Sequence, residues 1–126
     1  MGKTVVFDFD GVIHSYSSGW QGADIANDLP VDGIKDALKS IKDAGYDIAV
    51  VSSRFSTSAG RSCVTSYLKK YDMLKYVDLM CSEKPPAIVY IDDRAICFDG
   101  NAKSLLSQIQ SFKPWYQKQP KLKKLF

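Results

Sequence analysis

"VVFDFDGVIHSY", residues 5–16, closes an apolar, β-branched run with two aspartates one residue apart and then a glycine. Strands covered on both faces read as continuous hydrophobic runs of this kind. The spacing of Asp8 and Asp10 puts both carboxylates on the same side of an extended chain, and Gly11 permits a sharp bend immediately after them. The stretch is therefore read as a buried parallel strand that delivers paired acids to a loop.

Outward from it the pattern repeats. "YDIAVVS" (46–52) and "AIVYID" (87–92) are further apolar runs, and "YVDLMC" (76–81) is a shorter one. Between the first two, "DGIKDALKSIKDAG" (32–45) aligns Ile34, Ala37, Leu38 and Ile41 on one helical face, with Asp32 as N-cap and Gly45 as stop. A second helix fits "AGRSCVTSYLKKY" (59–71), where Cys63, Val64, Tyr67 and Leu68 share a face, and a last one fits "NAKSLLSQIQSF" (101–112). Such alternation predicts an α/β fold: a Rossmann-like three-layer sandwich with a mostly parallel central sheet and right-handed crossovers. One domain over residues 1–112 and a tail over 113–126 are expected.

Composition bounds the function. A chain of 126 residues, 45% hydrophobic, supports one compact core. It has no apolar run near the roughly 20 residues of a membrane helix, and acids interrupt its start, so a soluble, cytoplasmic protein is expected. Cys63, Cys81 and Cys97 are widely spaced and suggest neither a disulfide framework nor a zinc site; they read as core filler. The net charge of +3 resides in the tail, which carries Lys113, Lys118, Lys121, Lys123 and Lys124 and no acid; without it the chain has 12 basic against 14 acidic residues. With Trp115 and Tyr116, the tail offers charge and stacking surface to a nucleic acid, although solvated basic ends are the commoner case.

In open parallel sheets the ligand crevice lies beyond the carboxyl ends of the strands. Asp8 and Asp10, Ser52 and Arg54, and Asp92 and Asp93 all follow apolar runs and converge there, with Lys84 just ahead of the last run. Gathered aspartates repel, and a hard divalent cation is the fitting counter-charge: Mg2+ takes oxygen ligands from one or two carboxylates, water and a phosphate. Phosphoryl transfer follows as the favoured chemistry. Asp8 is placed to attack phosphorus and Asp10 to handle the proton; Ser52, Lys84 and the amides of the "DGV" turn are placed to hold phosphate oxygens.

In that order "DFDGV", "VVSSR", "SEKPPA" and "VYIDDR" resemble the four motifs of the haloacid dehalogenase superfamily of phosphohydrolases, over most of residues 3–99. The resemblance implies Asp8 as nucleophile, Asp10 as general acid and base, Ser52 as phosphate binder and Lys84 as charge neutraliser. It also implies a magnesium site formed by the Asp8 side chain, the Asp10 backbone carbonyl, Asp92 and Asp93. "SSR" and "IDDR" are also similar to the phosphatase domain of polynucleotide kinase-phosphatases, which makes Arg54 a second phosphate or substrate contact. Gly11, Ser53 and His14 complete the expected substrate surface, and Tyr16 and Trp20 serve either the loop's structure or a wall for the leaving group. Residues 11–31 and 55–83 leave no room for a cap domain, only for a hairpin flap. A capless, open site suits a phosphorylated nucleic-acid end or a nucleotide, with small phosphate esters such as sugar phosphates as the alternative. Two readings of other classes stand beside it: a receiver-like signalling domain, against which the order argues because receivers have paired acids first and lysine last whereas here "IDD" follows Lys84, and a non-catalytic binding module.

Overall fold

A computed structural model of the protein describes residues 3–118. The described chain falls into two compact units that divide between Asp92 and Asp93, and the compositional boundary at 112/113 falls inside the second. In the first unit, β1 (Thr4–Asp8), β2 (Asp47–Val51), β3 (Leu79–Cys81) and β4 (Val89–Ile91) form one sheet in the order β3-β2-β1-β4. Every pairing is parallel. The α/β expectation holds at that level. All four carboxyl ends thus point the same way, and the order changes direction beside β1, which has β2 on one side and β4 on the other.

Two helices, α1 (Ile34–Asp43) and α2 (Ser58–Lys70), separate the strands. The pleat sends Val5, Phe7, Ile48 and Val50 to one face, where they pack with Leu38 of α1 and Val64, Tyr67 and Leu68 of α2. Val6, Ala49 and Val51 lie on the opposite face with Ala87 packed against them. Burying one such aliphatic or aromatic side chain contributes about 1.5–3 kcal/mol. Ala37, predicted on the buried face of α1, is exposed, because Leu38 fills the centre of the stripe between the partly buried Ile34 and Ile41.

Local chemistry explains most boundaries. Gly45 ends α1 as expected: with φ of +95° it turns its N–H onto the Lys42 carbonyl. Asp32 does not cap the helix start. Gly33, at φ of +79°, takes the cap position with no side-chain hydrogen bond. Thr57 caps α2 by accepting the Gly60 N–H at 3.0 Å. β3 and β4 are only three residues long, shorter than their apolar runs, and Val89 and Tyr90 of β4 remain substantially exposed.

The second unit holds a turn of 3-10 helix (Ala102–Ser104), α3 (Leu105–Ser111) and the short α4 (Trp115–Lys118). Within it Tyr116 donates a 2.8 Å hydrogen bond to Asp93, and Arg94 reaches the same hydroxyl. Of the basic tail, Lys121, Lys123 and Lys124 lie outside the described residues. Cys97 is exposed, contrary to its reading as core filler, while Cys63 and Cys81 are half-buried. No helix among the described residues is long and apolar enough to cross a membrane.

Gly60 was not singled out by sequence and proves structurally demanding. A Cβ there would lie 2.0 Å from the Arg54 carbonyl oxygen, so the first turn of α2 packs directly on the backbone that carries Arg54. Gly60→Ala is expected to destabilise the protein by about 1–3 kcal/mol, the range for overpacking a tight interior, although alanine favours helices. Urea denaturation checks this, and an unchanged or raised midpoint would refute the packing argument.

Candidate functional site

Asp8 is the last residue of β1 and pairs in register with Val51, so Ser52 follows one residue beyond that level on the neighbouring chain segment. On the other side Phe7 pairs with Ile91, and Asp92 comes next. The sheet therefore brings together residues more than eighty positions apart. One carboxylate oxygen of Asp8 and one of Asp92 lie within 4.8 Å of each other. At that separation and an effective dielectric of 20, two full negative charges repel by about 3.5 kcal/mol, less where solvent screens them. Lys84 offsets part of this with a 3.0 Å ion pair to Asp92, and its ammonium lies 5.7 Å from the centre of the Tyr90 ring. A divalent cation would offset the remainder, and the all-oxygen donor set fits a hard ion. Asp93, the adjoining residue, opens the second unit.

Ser52 is buried, and its Oγ accepts the Arg54 N–H at 3.1 Å, capping the 3-10 turn Ser53–Ser56. Ser53 is exposed, and its carbonyl accepts from Ser56 Oγ. Gly11 is buried with φ of +82°, the bend that the sequence required. The amides of its turn are engaged internally: Gly11 N–H donates to the His14 carbonyl at 2.8 Å, and Val12 and Ile13 donate to the Phe9 carbonyl. The expectation that the "DGV" amides face a phosphate is corrected for Gly11 and Val12, whose N–H groups the tight turn uses itself.

Three further residues occupy a buried polar network. Arg54, expected at the substrate, is 1% exposed. Its Nε and Nη2 grip both oxygens of Asp10 at 2.9 and 3.1 Å, and its Nη1 is ringed by the carbonyls of Gly22, Ala23 and Ile25 at 2.9–3.0 Å. His14, also expected to touch substrate, is 2% exposed. It stacks on Phe9, and its Nε2 accepts the Asp28 N–H at 3.1 Å, which leaves the proton on Nδ1 to be donated to Asp10 at 2.8 Å. Tyr67, whose hydroxyl burial pushes far up from the usual phenol value, donates to the Asp28 carbonyl at 2.8 Å.

These contacts define what residues 16–28 do. The loop is closed at its base by Ser15 N–H to the Leu29 carbonyl and Val31 N–H to the Ile13 carbonyl, and compact loops of this type are pinned by their own packing. Here Arg54 and His14 hold it from inside, so the loop is tethered to Asp10. A groove of about 440 Å3 runs between this loop and α2, lined by Asp24, Asn27, Ser62, Cys63 and Lys70 among others, and includes none of the strand-end acids.

Burial opposes ionisation of Asp10, but hydrogen bonds from His14 and Arg54 and the Arg54 charge outweigh it and hold the carboxyl below its ordinary value of 3.8. The unfolded chain therefore takes up this proton at higher pH than the folded one. Asp10's contribution to stability is complete above pH 3.8 and declines as pH falls through the lower, folded value. Urea midpoints measured from pH 6 down to pH 2.5 are expected to fall more steeply for the natural protein than for Asp10→Asn; parallel slopes would contradict this account.

Sequence reasoning did not find Asp28 or Tyr67, whose partners lie 14 and 39 residues away. The one sequence signal was a glycine, Gly60, placed in the first turn of a helix where it lowers helix propensity. Comparison of the chain with protein-family models, with curated proteins and with solved structures gave no match.

Proposed function

We propose that the protein is a magnesium-dependent phosphohydrolase of the haloacid dehalogenase type that cleaves phosphate monoesters through an aspartyl-phosphate on Asp8. The observation that carries this reading is the meeting of Asp8, Ser52 and Asp92 at adjacent strand ends, with Lys84 paired to Asp92. The β3-β2-β1-β4 order supports the finer, Rossmann-like description, since ligands in such sheets bind where the strand order reverses, here between β1 and β4.

The steps assign a task to each group. An Asp8 oxygen attacks phosphorus, and the ester P–O bond breaks with its electron pair leaving on the alcohol oxygen. Water then attacks the aspartyl-phosphate, giving up a proton to Asp10 and releasing inorganic phosphate. Ser52, which accepts from Arg54 N–H, keeps its own hydroxyl proton for a phosphate oxygen. Lys84, paired to Asp92, is the positive charge at the acidic edge. Asp8 and Asp92 are the side chains, and the Asp10 carbonyl the backbone group, that would hold Mg2+, which when bound would supply charge neutralisation for the phosphate's approach.

Asp10 stands as a carboxylate, which suits activation of water. Protonating a leaving group requires it to take up a proton first. Aryl phosphates, whose leaving groups need no proton, are therefore the substrates on which activity is best read. The test is hydrolysis of p-nitrophenyl phosphate: turnover with Mg2+, its loss in chelator and its return on adding Mg2+ support the reading. A rate with Mg2+ no higher than without protein would overturn it.

A further inference from the structure

Trp20 sits on the loop that Arg54 pins, and it is 55% exposed. Its ring is nevertheless held: the Arg54 guanidinium lies against one face, 4.8 Å from the ring centroid. That guanidinium is itself fixed by Asp10 and the three loop carbonyls. A large aromatic group left in water forgoes the stabilisation of burial, and here it is clamped from behind, so its outward surface is presented in one orientation.

We propose that Trp20 is a stacking platform for the nucleobase of the substrate, an inference that rests on the phosphohydrolase reading. One guanidinium touches both the indole and Asp10, and Asp10 lies two residues from the proposed nucleophile. The platform and the Asp10 carboxylate, two residues along the chain from that nucleophile, are thus held by one rigid group, an arrangement suited to a ring and a phosphate joined through one sugar. A sugar phosphate has no π-face to offer this surface, whereas every nucleobase has one. The ligand class is accordingly a nucleoside phosphate, free or at the end of a strand.

The experiment uses the full chain carrying Trp115→Phe, which leaves Trp20 as the sole indole, and Asp8→Asn, which stops turnover. With Mg2+ present, the 3′- or 5′-monophosphate of adenosine is expected to quench Trp20 emission to saturation, while ribose 5-phosphate is not. Measured by calorimetry, Trp20→Ala is expected to weaken nucleotide binding roughly 5- to 150-fold, as for loss of one base stack, and to leave ribose 5-phosphate within about twofold; Trp20→Phe recovers most of the nucleotide affinity. A phosphorylated oligothymidylate arm assigns the source: tighter binding than the mononucleotide points to a strand end, and equal binding to a free nucleotide. Equal affinity for nucleotide and ribose phosphate, or equal weakening of both by Trp20→Ala, would overturn the platform. Quenching in a protein that, with Asp8 restored, hydrolyses no ester would keep the platform and remove the phosphatase, and hydrolysis without quenching would do the reverse.

Discussion

Asp8→Asn is expected to lower Mg2+-dependent ester hydrolysis by at least about 10³-fold while leaving the fold in place. Removing a covalent nucleophile costs rate on this scale or more, because the amide neither attacks phosphorus effectively nor forms an acyl phosphate. The structure gives reason to expect intact folding. Asp8 ends β1 with its backbone paired to Val51, and its Oδ1 accepts the Phe9 N–H at 3.0 Å, a bond that an amide oxygen can reproduce. The substitution also removes one negative charge beside Asp92. Stability is therefore expected to be unchanged or raised as activity disappears, the opposite signs expected of a functional rather than a structural residue. Parallel measurement of hydrolysis and urea midpoint distinguishes them; activity within tenfold of the natural protein would exclude Asp8 as nucleophile.

Arg54→Ala is expected to cost about 3–5 kcal/mol, the range for breaking a buried ion pair by removing one partner. The loss has several sources at once. Asp10 keeps its charge with only His14 bonded to it, the carbonyls of Gly22, Ala23 and Ile25 lose their donor, and Trp20 loses the group beneath it. Arg54→Lys rescues little, since an ammonium cannot make the two-pronged contact to Asp10 while also reaching three carbonyls. Hydrogen exchange locates the damage: amides of residues 16–28 should lose protection first, before those of β1 and β2. A stability loss under about 1 kcal/mol, or exchange that rises uniformly over the chain, would refute the role of Arg54 as the pin of that loop.

The sheet and the acidic end of the site were legible because both depend on local pattern. Strands buried on two faces leave apolar runs, and parallel pairing brings the residues after those runs to one edge, so Asp8, Ser52 and Asp92 could be placed beside one another before any geometry was known. The buried network was not legible. Asp10 and Arg54 are 44 positions apart, and nothing in "SSR" distinguishes a guanidinium aimed outward from one turned into the core. Polarity pointed the wrong way: a charged residue and the sole histidine read as surface groups, yet the hydrogen bonds that both donate to Asp10 make burial tolerable. Strand length was also overread, since an apolar residue such as Ile88 extends the run 87–92 while lying exposed and outside β4.

Calorimetric titration of the full chain with Mg2+ asks whether Asp8 and Asp92 share a cation, without depending on any substrate. The account predicts one ion bound per chain in the natural protein, and binding weakened at least about tenfold in Asp92→Asn, the low end of what losing one supporting group costs a metal site. No detectable heat at millimolar Mg2+, or binding that Asp92→Asn leaves unchanged, would contradict it.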